Sequence, residues 1–404
     1  MANGERIGRR EFIITSAGAV AAGLGAACGR VSRSEIEEAA AKVGRLPRRA
    51  LDRSGRKVSV LIGAGTWASA PVEAGILCGV NYWHKAERWG SSVPQAILAN
   101  REAHYCEVCV DRIHGNHETG VIDEEAHYQY VKRAVERTGL RYFDDMMFHF
   151  GYHRIAELKE NAGVIRAYDR LKKEGLVRHL CLSQHSYNGN TRVPDGEDRA
   201  AILTAVVEDG VYEHAQFPFT FGDEDALNQF VSFAKSKGFG TIAMKTTAGA
   251  ARMQADREFM SKFPAATTPH NALARWLTTA TDLSAAVVQI NSLDEFVDTY
   301  SGAGKPMRAA DARALEVMTA YTNREVCRLC NECMSHCAQG VAIAEVLRYE
   351  RYAVDYGDRE RARRLYAQLD QKGDACQVCG DCLTHCPQGL NIPAKLANTH
   401  RLLS

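Results

Sequence analysis

Eight of the thirteen cysteines fall in two runs of identical spacing: Cys327, Cys330, Cys333 and Cys337, then Cys376, Cys379, Cys382 and Cys386. Each run reads C-x2-C-x2-C-x3-C. At this spacing three thiolates can wrap one cube of four irons and four sulfides, while the fourth lies beyond the turn and reaches the other cube. One [4Fe–4S] cluster is therefore expected on Cys327, Cys330, Cys333 and Cys386, and a second on Cys376, Cys379, Cys382 and Cys337. Zinc sites more often show two separated pairs, and a disulfide framework would not require the same three-step spacing twice. The runs differ after the fourth cysteine, where the first has Ala338 and the second Pro387. Proline fixes φ and removes an N–H, so Cys337 is expected to be held less firmly than Cys386.

Around these residues stands an ordinary globular composition. The chain has 404 residues, 46% hydrophobic and 25% charged, with a net charge of +1. That length suits two or three domains, and the balanced charge gives no field that would draw nucleic acid or acidic lipid. The remaining cysteines are Cys28, Cys78, Cys106, Cys109 and Cys181.

At the N-terminus, Arg9-Arg10 is followed by Glu11, then by apolar residues and an uncharged Ala/Gly-rich stretch up to Cys28. Residues 1–30 resemble a twin-arginine export signal, to be set aside before reasoning about fold. A disordered basic tail is the plainer alternative. Export of a folded chain agrees with clusters assembled in a reducing cytoplasm, and it implies the periplasm or the periplasmic face of a bacterial membrane. Gly25-Ala-Ala-Cys28 weakly resembles a lipoprotein box, which makes Cys28 a candidate lipid anchor. Ser34-x-x-Glu37 has capping-box spacing. Residues 31–57 are thus expected to form a short helix and then a linker rich in Arg, with Pro47 and Gly55.

From residue 58 to about 305, short apolar runs alternate with amphipathic stretches. Strands are expected at 58–62, 80–83, 104–110, 142–149, 177–182, 214–217, 240–244 and 285–290, with helices such as 124–138, 154–174, 224–237 and 268–279 between them. Eight such units predict an α/β fold of (β/α)8 TIM-barrel type. A doubly wound open sheet would alternate too, but Gly63-Ala-Gly65-Thr66 lacks the third glycine of its usual first turn.

Several segments resemble the aldo/keto reductase superfamily: the opening stretch 49–66, Tyr142-Phe-Asp144 through His149, Gly175 through Ser183, Gly240 through Lys245, and Arg275-Trp276-Leu277 with Ser292-Leu293. With a two-cluster ferredoxin-type tail, the chain looks like an iron–sulfur branch of that superfamily. The resemblance implies a carbonyl reductase using NADPH, with a tyrosine as proton donor assisted by lysine, aspartate and histidine at the ends of early strands.

The pattern breaks where that chemistry should sit. His84 stands at the expected aspartate position, Trp89 at the tyrosine and Cys109 at the lysine, and only His149 matches. Indole has no useful acidity near neutral pH, so the usual carbonyl reduction is not expected. Ser183 and Gln216 match positions that hold the nicotinamide amide in the family. Against an NAD(P)H site stand Gln184 in place of asparagine and the segment 288–292, which lacks the glycine of the phosphate-binding turn.

His84, His149, His185 and Lys245 fall at or just after strand ends, on the face where barrel enzymes work. His84, His149 and Lys245 are the catalytic candidates. Two or more histidines could serve in acid–base chemistry or bind a metal, and each could equally be a hydrogen-bonded residue of the barrel rim. Cys106 and Cys109, three apart on a strand, should face opposite ways and so not share a ligand. Trp83 and Trp89 could stack on a flat substrate or simply pack.

Residues 306–404 should form a helical linker and a small ferredoxin-like dicluster domain with a helical insert. The insert carries Arg359, Arg361, Arg363 and Arg364, expected on a solvated face. The resulting expectation is an exported oxidoreductase moving electrons between two clusters and a small-molecule substrate or cofactor at the barrel mouth, with a redox partner protein. The alternative is a non-catalytic electron-transfer or binding protein that uses the barrel as scaffold.

Overall fold

A computed structural model describes residues 31–64, 69–111, 123–152, 154–160, 162–184, 197–219, 221, 225–246, 250–279, 281–289, 292–355 and 358–404. The expected export signal, Cys28 and His185 lie outside these residues.

The alternation closes into a barrel. Eight parallel strands close it, each beside its neighbours in chain order and the last beside the first. They are β3 (Leu61–Ala64), β4 (Tyr82–Trp83), β5 (Tyr105–Asp111), β6 (Phe143–Phe150), β7 (Val177–Gln184), β8 (His214–Pro218), β9 (Gly240–Met244) and β10 (Ala285–Gln289). Side chains alternate as a pleated strand requires. Cys106, Val108 and Val110 face the helical ring, while Cys109 packs with Met147 and Cys181 inside the barrel. The opposite facing expected for Cys106 and Cys109 is thus observed.

Three expectations for residues 31–62 are corrected. Residues 44–57 are no mere linker: β1 (Arg48–Ala50) and β2 (Lys57–Ser59) form an antiparallel hairpin. Its Leu51 and Val58 pack with Ile62, Tyr82, Ile242 and Ala285 inside the barrel. The apolar run expected as one strand at 58–62 is divided between β2 and β3. At the division Val60 N donates to the Pro47 carbonyl (3.1 Å), and the Val60 carbonyl accepts from Ala286 N (3.0 Å).

The helix Arg33–Val43 is capped by Ser32 and Glu35 rather than by Ser34 and Glu37. Glu37 instead pairs with Arg33 (2.8 Å). The helix buries Ile36, Ala39, Ala40 and Val43 and packs on the helices Ser69–Leu77 and Leu293–Tyr300. Burial of Ile36 and Val43 is worth roughly 1.5–3 kcal/mol each.

After the barrel, the helix Ala309–Glu325 sets Ala314, Leu315, Met318 and Tyr321 in one apolar cluster with Ala272 and Leu273 of the helix Pro269–Thr279. Beyond it, Val341, Val346, Leu347, Tyr349, Tyr366, Leu390 and Leu396 make a small second core. The helix Ile343–Val354 is buried continuously from Ile343 to Arg351, including Glu345, Arg348 and Glu350. An amphipathic surface helix would not be. This one is tied to the barrel by Arg252, just beyond β9, which donates to Asp355 (3.1 Å), Glu350 (3.5 Å) and the Glu325 carbonyl (3.2 Å). Arg359, Arg361, Arg363 and Arg364 are exposed, as expected. No helix among the described residues is long and apolar enough to cross a membrane.

Candidate functional site

In the C-terminal region the fourth cysteine of each run lies beside the first three of the other. Cys327, Cys330 and Cys333 line one cavity together with Cys386 from the second run. Cys382 sits among Cys376, Cys379 and, from the first run, Cys337. All eight sulfurs are free of disulfides. The backbone wraps them alike: Leu329 and Asn331 have positive φ (59° and 71°), as do Val378 and Gly380 (56° and 89°) at the equivalent places. Backbone N–H groups of Leu329 and Leu390 point at Cys327 Sγ and Cys386 Sγ, each 3.4 Å. His336 and His385, also equivalent, stack face to face with centroids 3.3 Å apart.

Burial raises the thiols, Cys327 to about 12 and Cys382 to about 11, and coordination to a metal would deprotonate them outright. A single zinc with Zn–S near 2.3 Å would hold its sulfurs roughly 3.8 Å apart. Among the described residues, the group whose ligand atoms all lie within 4.8 Å of one another is Glu107, Cys181 and His214, not these cysteines. Soft donors in two crossed quartets, spaced more widely than one ion needs, fit two [4Fe–4S] clusters.

The barrel mouth holds the other candidates. His84 follows β4, His149 lies near the end of β6, and Lys245 follows β9. His149, Ser183 and Gln216 stand in register across β6, β7 and β8. The Ser183 hydroxyl points at Met244 Sδ (3.8 Å). Gln184 Nε2 donates to the Tyr152 carbonyl (2.7 Å), and Gln184 Oε1 accepts from Tyr152 N (3.1 Å). A Cβ on the intervening Gly151 (φ +62°) would lie 2.2 Å from Gln184 Oε1. Gln184 is therefore committed to holding the chain just after His149.

Trp89 is not at the mouth. It is buried against Trp83 (centroids 5.7 Å apart) in the outer helical layer, and Trp83 Nε1 donates to His104 Nδ1 (3.2 Å). Of the two roles open to these indoles, packing is the one observed.

Sequence reasoning missed the residue that organises the interior, Glu107. Its side chain is fully buried. Glu107 Oε1 accepts from His84 Nδ1 (2.6 Å), and Oε2 accepts from the Tyr82 hydroxyl (2.9 Å) and from Gln216 Nε2. The Tyr82 oxygen also meets His214 Nε2 (3.3 Å). Beneath, Asp52 and Asp145 flank His214 Nδ1 at 3.6 and 3.8 Å. Arg56 donates to both oxygens of Asp145 (2.9 and 2.8 Å) and to Asp52 (2.6 Å). Burial alone would raise the Asp52 carboxyl, but the His214 hydrogen bond and the Arg56 charge outweigh it and hold it well below its usual range. A polar column thus fills the barrel from the hairpin floor to His84. The available signal was an acidic residue in the middle of the apolar run 104–110, at an inward-facing parity.

Charge at the mouth is shaped from outside the barrel as well. Burial pushes the Lys245 ammonium well below its usual value, and Arg348, Arg351, Lys85 and Arg199 push it the same way. Two of these arginines belong to the buried helix Ile343–Val354, and Arg351 is also within electrostatic reach of Cys327. Burial raises the Glu87 carboxyl to about 7.

No protein-family model matches the chain, and no curated protein matches it. Among solved structures it is similar to a putative aldo-keto reductase from Pseudomonas aeruginosa at 17% identity and a TM-score of 0.45, covering 68% of this chain and 97% of that one. It is similar to an aldo-keto reductase from Bacillus halodurans at 15% identity and a TM-score of 0.49, covering 67% and 96%. A Bombyx mori aldo-keto reductase in complex with NADP aligns at 12% identity and a TM-score of 0.46, covering 68% and 93%.

Proposed function

We propose that this chain is an exported iron–sulfur oxidoreductase that moves electrons between a redox partner protein and a small molecule at the barrel mouth. The observation that carries this reading is the joining of two sites. The cavity lined by Cys327, Cys330, Cys333 and Cys386 also takes in Ala344 of the buried helix Ile343–Val354, and the charge of Arg351 on that helix bears on both Cys327 and Lys245. When bound, the clusters would supply one-electron transfer, which the barrel residues cannot. The barrel's part is to seat the substrate among His84, His149 and Lys245 and to manage protons there. His84 is the proton carrier, since Trp89 is packed away and cannot act as an acid. Export by the twin-arginine route would place the protein in the periplasm or at its membrane face, with Cys28 as a candidate lipid anchor. For a nicotinamide, Ser183 and Gln216 lie at the family's positions, but Gln216 is bound to Glu107 and Gln184 to Tyr152.

The test is anaerobic titration of the purified holoprotein with NADPH and NADH, following the broad visible absorbance of the clusters, with dithionite as control. Bleaching by a nicotinamide identifies it as electron donor. Bleaching by dithionite alone assigns the donor's role to a periplasmic protein.

The loss of the family's tyrosine, lysine and aspartate favours a second reading, a barrel kept only as scaffold. Under it His84→Ala and His149→Ala change no turnover with any electron donor. A clear drop in either variant removes it.

A further inference from the structure

The two strands expected to carry an aspartate and a lysine carry instead His84 after β4 and Glu107 on β5, in direct contact at 2.6 Å. A carboxylate at this distance can only accept, so His84 Nδ1 must carry the proton. Nδ1–H fixes the tautomer and leaves Nε2 as the nitrogen that is free to exchange a proton. Glu107 is itself immobilised, because Tyr82 and Gln216 both donate to its other oxygen. His84 keeps a little exposure, 14% of its side chain, where Glu107 has none. The pair is thus a buried anchor with an imidazole facing the mouth.

We propose that Glu107 is the positioning residue that makes His84 the acid–base group of this site, a carboxylate–imidazole couple in place of the family's phenol. The inference rests on the oxidoreductase reading above and deepens it. In the acid half-step the doubly protonated imidazole gives its Nε2 proton to the substrate atom that has gained electron density. The N–H bond at Nε2 breaks, its electron pair stays on the ring, and Nδ1–H remains on the Glu107 carboxylate. A proton from solvent at the mouth restores Nε2–H. The charged groups facing His84 are Glu107 on β5, which favours the imidazolium, and Lys85 and Arg88, which oppose it. Burial opposes it most. Burial thus holds the His84 pKa below its ordinary value, and Glu107 limits that fall.

The test needs no substrate. Nitrogen-15 NMR of histidine-labelled holoprotein, with His84 assigned by loss of its signals in His84→Gln, reads both tautomer and titration. The expected result is an Nδ1–H tautomer in the unsubstituted protein. Glu107→Gln should lower the His84 pKa by about 1–3 units, as loss of an adjacent opposite charge does. Tyr82→Phe should keep the tautomer, because the carboxylate remains. An Nε2–H tautomer in the unsubstituted protein overturns the proposal even if Glu107→Gln fails to fold, and so does an unchanged titration in a folded Glu107→Gln.

A third measurement addresses the other use these atoms could have, since Glu107, Cys181 and His214 could together hold a metal. One equivalent of a non-iron metal that is lost in Cys181→Ser would give the Glu107 carboxylate to that ion and overturn the couple. No such metal supports it. None of these readouts involves electron transfer, so the couple and the proposed electron path fail or stand separately.

Discussion

The two cysteine runs have the same spacing, the same left-handed turns and the same closing loop, yet they meet opposite surroundings. Leu329, inside the first run, is 6% exposed, while Val378 at the equivalent place in the second is 72% exposed. Met334 is 7% exposed and its counterpart Leu383 40%. The first run is also anchored. It follows Val326, which is buried, and Glu325, whose carboxylate receives Lys395 (3.1 Å) and whose carbonyl receives Arg252 (3.2 Å). Duplicated ligand geometry has thus been given two roles by neighbouring side chains alone. One copy is packed into the small second core and follows a residue tied to Arg252, and the other is presented outward, the side open to a redox partner in the proposed function.

The largest test of that difference removes one ligand from each copy. Cys330 and Cys379 are equivalent and both exposed, so Cys330→Ser and Cys379→Ser should each lose about four of eight irons. Their consequences should diverge. Hydrogen exchange in the helix Ile343–Val354 should rise in Cys330→Ser and stay unchanged in Cys379→Ser. Equal loosening in both would show that the copies support that helix equally.

A glutamate placed at the paired apolar positions gives the next largest contrast. Leu329→Glu would bury a carboxylate without a partner and should cost upwards of about 3 kcal/mol. Val378→Glu should stay within about 0.5 kcal/mol. Denaturant unfolding of the holoproteins measures both. Truncation probes the same contrast more gently: Met334→Ala should cost about 2–4 kcal/mol, and Leu383→Ala well under that, since much of its side chain never leaves water.

How far such contrasts could be read from the sequence depends on what kind of contact makes them. The barrel was legible because each strand is a short apolar run between helical periodicities. Seven of the eight expected strands lie within two residues of β4 to β10. The eighth, 58–62, misled because hairpin and barrel strands follow each other with only Val60 between them, and both are apolar. The cysteine quartets were legible because ligand spacing is local. Glu107 was not, since its meaning depends on partners from β4 and β8 that approach only when the barrel closes. The outward turn of Val378 was equally hidden, because Cys376-Gln-Val-Cys379 reads like Cys327-Arg-Leu-Cys330.

The smallest prediction concerns the residue after the fourth cysteine, alanine in the first run and proline in the second. Ala338 in place of proline suggested a looser Cys337, but the closing turns are the same. Gly340 N donates to the Cys337 carbonyl (2.9 Å), and Gly389 N to the Cys386 carbonyl (3.0 Å). Gly340 and Gly389 have φ of 65° and 64°. Pro387 is the second residue of its turn, where a φ near −65° belongs, and Ala338 holds that position in the other. Both are exposed, so a pyrrolidine ring at 338 has room. Ala338→Pro should then leave the folded turn intact and restrict the unfolded chain, stabilising the protein by about 0.4–1 kcal/mol. The check is a higher urea midpoint with an unchanged slope. A lower midpoint would mean that the first turn needs the Ala338 N–H or a different φ, and that the two runs differ in backbone as well as in surroundings.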